Sequence, residues 1–232
     1  MLRPMKHSGK AFHAACKMLG WTLLLVLVVL AAGWLVKSVG SAIVAISTGL
    51  IGLWAVFALF TLYFFRDPEA RVPAGPNLVV SPGHGRVDAI DETDEPVFMS
   101  GRCKRISMFL SVIDVHVQNI PISGTVKYVK HTPGKFLNAL AAESATENEN
   151  VLIGIESAEC PGQRIGARLI AGLIARRIIP WVHEGETVAR GERMSLIQFG
   201  SRVDVYLPLS ASIQVKLGDK VVGGESVLAT LS

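Results

Sequence analysis

Cysteine is scarce: Cys16, Cys103 and Cys160 stand far apart in a 232-residue chain, and three is an odd number. That spacing builds neither a disulfide framework nor a thiolate metal centre, so free thiols in a reducing compartment are expected. Aromatic residues are few, at 7%, and 23 Lys and Arg barely exceed 19 Asp and Glu. With no basic stripe interleaved with aromatics, nucleic acid is not an expected partner. A G-x-S-x-G nucleophile elbow, a phosphate-cradling P-loop and a zinc-binding H-E-x-x-H are all missing. Standard hydrolase, nucleotide and zinc-peptidase chemistry lose their support with them.

Apolar residues, by contrast, are abundant and unevenly spread. "WTLLLVLVVLAAGWLV", Trp21 to Val36, carries no charge, and a second uncharged stretch runs from Ser38 to Phe65. About 20 residues cross a bilayer, a length the second stretch exceeds and the first reaches once Met18, Leu19 and Gly20 are counted. A signal peptide competes for the first segment, but no small-residue cleavage site leads into a polar mature sequence. The pair reads as a transmembrane helical hairpin over residues 18–65, turning near Lys37, Ser38 and Gly40. Arg3, Lys6, Lys10 and Lys17 precede it, Arg66 and Arg71 follow it, and only Lys37 lies between, so both ends are expected to face the cytoplasm. Trp21, Trp34, Trp54 and Tyr63 are candidate interfacial anchors, although Trp54 also fits within the second span.

Residues 1–17 form a basic N-terminus, and the Pro-rich "RDPEARVPAGP" opens a linker over 66–77. Residues 78–232 suffice for one domain with its own core. Short β-patterned runs follow, among them Leu78–Val80, Arg86–Ile90, Ile106–Leu110, Gly124–Lys130 and Val151–Glu156. "TPGKFLNALAAESATENEN", Thr132 to Asn150, reads as a loop with a helical turn or two, and "RLIAGLIARRII", Arg168 to Ile179, fits a helix or a buried strand equally well. "VHEGETVARGE" from Val182 and "VKLGDKVVGGE" from Val215 repeat one pattern at a spacing of 33 residues. The repeat predicts two similar hairpins in a mainly β domain, a sandwich or barrel-like fold resembling biotinyl and lipoyl carriers. A carrier needs a modified lysine at a hairpin tip; Met194 lies between the copies without one.

Two short stretches remain as candidate chemistry. "SLIQFGSRVDVYLP", Ser195 to Pro208, sets Gly200 and Ser201 inside a stretch patterned for burial, a pair that elsewhere marks a hairpin turn or bulge. "MFLSVIDVHVQNIPISG" holds Asp114 and His116 two apart, on one face if the run is a strand.

"FLSVIDVHV" followed by "SGTV", then "PGKFLNA", "IAGLIARRI" and "FGSRVDVYLP", together with "FFRDP" closing the second span, resemble in kind and order the motifs of the short, membrane-anchored form of the phosphatidylserine decarboxylase proenzymes. The resemblance covers Arg66 to the C-terminus. It implies that the Gly200–Ser201 bond breaks itself and that Ser201 becomes a covalent pyruvoyl cofactor, which forms a Schiff base with the amine of phosphatidylserine and releases carbon dioxide. It further implies two fragments, 1–200 and 201–232, that stay associated, and a catalytic domain on the cytoplasmic side of the cell membrane.

The atoms explain the Gly-Ser pair. Ser201 Oγ attacks the Gly200 carbonyl, and a residue without Cβ clears its approach. The ester so formed loses the Ser201 α-proton and then the upstream chain, and the remaining dehydroalanine hydrolyses to the ketone with loss of ammonia.

His116 is the candidate acid and base. Phe136, Asn138, Arg176 and Arg177 are candidates for substrate contact, the two arginines equally able to meet a phosphate or to line the surface. This chain departs from the family pattern twice. "SPGHG" puts His84 where S-P-A-D-G has the Asp that helps activate the serine, and Asn119 stands where short members commonly carry Arg. His84 then acts as the base toward Ser201, Asp114 orients His116, or the chain stays an uncut, silent lipid-binding protein. Acyl-ester and archaeal ether serine lipids are equally compatible with these motifs. Pairing of copies through apolar β-runs is open, with no residue demanding it.

Overall fold

A computed structural model describes residues 9–35, 40–137, 147–172, 177–198 and 201–232. Two helices, α1 (Lys10–Leu35) and α2 (Gly40–Phe64), form one compact unit, and residues from Pro68 onward form a second. Both helices are long and apolar enough to cross a membrane. Their apolar side chains face outward almost throughout, with Leu25, Val44, Leu53 and Leu59 about two-thirds exposed. Such a surface matches lipid rather than water. The two run antiparallel: the Trp54 indole donates to Thr22 Oγ1 at 2.9 Å, and Gly33 lies close to Ile43. Trp54 therefore lies within α2, tied to the first helix. α1 also begins two to three turns earlier than the apolar run, because "KAFHAAC" continues a helix without interruption.

The second unit is mainly β. Its strands are β1 (Leu78–Val80), β2 (Gly85–Glu95), β3 (Gly101–Leu110), β4 (Val117–Asn119), β5 (Gly124–Thr132), β6 (Asn150–Ser157) and β7 (Arg164–Ala171). They continue with β8 (Ile178–Pro180), β9 (Thr187–Val188), β10 (Arg193–Ile197), β11 (Ser201–Leu207), β12 (Ser212–Ile213), β13 (Lys220–Val221) and β14 (Val227–Thr230). An eight-stranded sheet, ordered β13-β2-β3-β11-β7-β6-β5-β9, curls into a half-barrel. Two three-stranded sheets, β1-β14-β12 and β4-β10-β8, complete the set. The main core gathers Met108, Leu110, Ile153, Leu169, Val203 and Val205 from the large sheet with Val79, Met194, Ile197 and Leu228 from the small ones.

The ambiguous run after Arg168 is strand at both of its described ends: β7 continues to Ala171 because β6 and β11 flank it on both sides, and β8 follows from Ile178, while residues 173–176 lie outside the described residues. Thr132 to Asn150 is described only at its ends, where Lys135 bridges Asn148, and the expected helical turns lie outside the described residues. All three cysteines are free, and burial pushes the Cys103 thiol up to about 11.

The 33-residue repeat becomes two matching turns at opposite edges of the large sheet. Gly185 and Gly218, at φ near +86° and +88°, donate their N–H groups to Val126 and Val87 beside β9 and β13. Gly191 and Gly224, also at positive φ, donate to Ile120 and Ser81. Only glycine holds these left-handed positions without strain, which is why the spacing of glycines repeats.

β11 is the structural centre, with β3 on one side and β7 on the other. Its alternation sends Val203, Val205 and Leu207 into the main core and turns Arg202, Asp204 and Tyr206 to the opposite face. Asp204 is fully buried there, and among the described residues neither carboxylate oxygen meets a donor at good hydrogen-bond geometry. Burial pushes its carboxyl above the usual range, against the pull of the Ser107 hydroxyl and of Arg105, Arg202 and Arg168. A carboxyl raised in this way supports folding fully below its unfolded-state value and loses that contribution as pH rises through the raised one. Asp204→Asn is therefore expected to melt higher than the parent at neutral pH, with the gap closing on acidification. Thermal melts of both proteins at acid and neutral pH check this; a variant less stable at neutral pH refutes it.

Candidate active site

Ser201 is the first residue of β11, opposite Leu110 of β3 and Ala171 of β7. Strand alternation puts its side chain on the core face, fully buried. Its hydroxyl has no hydrogen-bond partner among the described residues. Leaving a buried hydroxyl unsatisfied costs roughly 1–3 kcal/mol, and packing alone gives no return for it. An uncommitted Oγ at the head of the central strand suits a nucleophile aimed at the preceding carbonyl. Gly200, the other residue of the expected cleavage pair, lies outside the described residues.

Two connections bring His116 toward this strand. Leu110, paired with Ser201, ends β3, and the loop that follows leads through Asp114 to His116 just before β4. From the other side, Ile197, which ends β10 three residues before Gly200, donates its N–H to the His116 carbonyl at 3.1 Å. His116 is fully buried. Its Nδ1 stands 2.8 Å from the Asp114 main-chain carbonyl. A carbonyl only accepts, so Nδ1 carries the proton of the neutral ring and any proton exchange passes through Nε2.

This corrects the expected part of Asp114. Residues 111–116 form a turn, not an alternating strand, and the Asp114 carboxylate accepts from the Ser111 N–H and hydroxyl at 2.9 and 2.7 Å. Asp114 orients the imidazole through its backbone, while its side chain closes the turn.

The two departures from the family pattern share one place. A Cβ on Gly223 would stand 2.7 Å from Asn119 Oδ1 and 2.9 Å from His84 Nε2, so both side chains crowd the same glycine. Asn119 Nδ2 donates to Gly191 O, which turns its oxygen toward this spot. The matching position in the repeat is Arg190, whose guanidinium spans the carbonyls of Pro73, Gly75 and Leu78 and meets Glu159. One half of the domain thus uses this place to hold residues 73–78, and the other keeps it bare for His84 and Asn119.

Phe136 packs half-buried against the main core. Arg177 is exposed just before β8, and its carbonyl accepts the Gln198 N–H, two residues before Gly200. Arg176 and Asn138 lie outside the described residues.

Three buried polar residues had no expected role. Asn148 bonds Leu137 through both its amide groups and donates to the carbonyl of Ala171, the residue opposite Ser201. Gln118 and Ser195 hydrogen-bond each other beside His116. Gln118, Ser195 and Asn148 all sit next to or within strand-patterned stretches where a polar residue needs a partner, and that mismatch was the available signal.

Comparison with known proteins places the chain beside one family. The family model described as phosphatidylserine decarboxylase matches residues 57–229. A phosphatidylserine decarboxylase proenzyme of Desulfotalea psychrophila is 45% identical over 172 residues, covering 74% of this chain and 79% of that protein. One from Pelobacter propionicus is 45% identical over 195 residues, 84% of this chain and 87% of its own length. One from Symbiobacterium thermophilum is 41% identical over 205 residues, with 86% and 94% covered.

Proposed function

The chain belongs to the phosphatidylserine decarboxylase family, and on that premise we propose that it cuts its own backbone between Gly200 and Ser201 to become a pyruvoyl-dependent decarboxylase, converting phosphatidylserine to phosphatidylethanolamine and carbon dioxide. The observation that carries this reading is the buried Ser201 hydroxyl at the start of the central strand, with no hydrogen-bond partner among the described residues.

Ser201 Oγ attacks the Gly200 carbonyl carbon; the peptide C–N bond breaks as the ester C–O bond forms, and the nitrogen keeps the proton the hydroxyl gave up. A base takes the Ser201 Cα proton, the Cβ–O bond breaks, and residues 1–200 leave with a Gly200 carboxylate. Water then converts the dehydroalanine to a ketone and frees ammonia. Pairing of Ser201 with both neighbours fixes the attacking residue, the preorganisation a slow internal reaction requires. Fragment 201–232 carries β11 to β14, which pair with β3, β7, β2 and β1. A central strand so held does not diffuse away after the cut.

The pyruvoyl group supplies an electron sink for the pair left behind by carbon dioxide. His116 Nε2 takes up a proton while Nδ1–H stays on the Asp114 carbonyl, and delivers it to the carbon that has lost carbon dioxide. Arg177, its backbone tied to the segment before Gly200, meets the lipid phosphate, with Arg176, Phe136 and Asn138 completing the substrate contacts. A two-tailed lipid hardly leaves its bilayer, and α1 and α2 bring the site to it.

We place the β-rich unit on the cytoplasmic side from the excess of Lys and Arg flanking the hairpin. Protease added to intact cells should spare this unit and added to inverted vesicles should digest it; the reverse result refutes the orientation. The activity itself is tested by carbon dioxide release from phosphatidylserine in mixed micelles. Borohydride treatment of the enzyme beforehand should abolish release by reducing the ketone, and unaffected release would exclude a keto cofactor.

A further inference from the structure

We propose that Gln118 is a positioning residue for His116, with Ser195 fixing the orientation of its amide; this rests on the roles given above to His116 and Ser201. Gln118 is the middle residue of β4, fully buried, flanked by buried Val117 and Asn119. A primary amide brings two donors and an acceptor into the interior, an expense that a similarly sized leucine avoids. Its contacts show what it does there. Ser195, directly opposite in the β4–β10 register and also fully buried, donates its hydroxyl to Gln118 Oε1 at 2.8 Å. With the oxygen so engaged, Nε2 points the other way and donates to the His116 carbonyl at 2.7 Å.

That carbonyl also accepts the Ile197 N–H, and the ring's Nδ1 is bound to the Asp114 carbonyl. His116 is therefore held at its backbone by β10 and the Gln118 amide, and at its ring by the loop from β3. Removing the amide leaves the ring bond and the Ile197 bond but takes away one of the two bonds that hold the peptide carrying the ring. Small displacements matter at such a site: misplacing a reacting group by about 1 Å costs on the order of 100-fold in rate. Gln118 does not touch the reacting atoms; its effect passes through His116 alone.

The test compares purified full-length Gln118→Leu, Gln118→Glu and Ser195→Ala with the parent, measuring self-cleavage over time and steady-state decarboxylation of the cleaved fraction. Gln118→Leu should lower kcat by roughly 10- to 100-fold with KM for phosphatidylserine unchanged. Gln118→Glu should fall at least as far, because it turns a carboxylate oxygen toward the His116 carbonyl. Ser195→Ala should fall less, and adding it to Gln118→Leu should cost nothing further, since both act through one contact.

A role confined to stability would lower the melting temperature while leaving kcat of the folded, cleaved fraction at the parent value, and that result overturns the proposal. So does full additivity of the two substitutions. If Gln118→Leu fails to fold, Ser195→Ala decides alone: an unchanged kcat refutes, a lowered kcat with unchanged KM supports. Failure of the parent reading looks different, since Ser201→Ala would then still cleave or still release carbon dioxide whatever stands at position 118.

Discussion

Ser201→Ala is expected to yield a single uncut chain with no measurable carbon dioxide release, a fall on the order of 10⁴-fold or more. Alanine keeps the Cβ and removes only an oxygen that has no hydrogen bond among the described residues and no contact with solvent. The fold should be unharmed, and because a buried unsatisfied hydroxyl is destabilising, the melting temperature should hold or rise. That makes the variant informative: lost activity with intact stability belongs to the missing nucleophile and not to unfolding. A gel under denaturing conditions reads the cut, and a radiolabelled carboxyl on the lipid reads the chemistry. Persistent cleavage in this variant would move the scissile bond elsewhere.

His116→Ala should bring the next largest loss, about 10²- to 10⁴-fold in kcat, the usual contribution of a positioned acid or base. The geometry gives the loss a signature. Nδ1–H is committed to the Asp114 carbonyl, so on this reading Nε2 is the atom through which His116 takes up and delivers a proton. Gln at this position reproduces the donor but cannot exchange it near neutral pH, and should do little better than Ala. Decarboxylation should be assayed on whatever cleaved fraction accumulates, which separates a slowed cut from slowed turnover. Parent-like kcat in cleaved His116→Ala would assign the proton to another group.

Much of this architecture was legible in the residues. Uncharged runs marked both helices, alternation marked the apolar strands, and the glycines at 185, 191, 218 and 224 announced paired turns because their backbone positions demand them. The outer part of the β2–β3 hairpin was not legible, since "DETDE" carries no apolar alternation; cross-strand pairs such as Asp91–Arg105 hold it instead, and these form only once the register is set. In the site, Ser201 and His116 stood out by motif. The backbone route from Asp114 to the imidazole did not, because a main-chain carbonyl has no sequence signature. Gln118 and Ser195 are 77 residues apart and become partners only through the β4–β10 register. The meeting of His84 with Asn119 at Gly223 likewise depends on how the two halves of the domain fold over each other.

The whole scheme turns on what stands at position 201 in the working enzyme. Denaturing mass spectrometry of an active preparation should show two chains, residues 1–200 ending in an ordinary carboxylate and a 32-residue piece, 201–232, lighter by one ammonia than a peptide beginning with serine. A fully active sample consisting of one unbroken chain with an ordinary serine at 201 would contradict it.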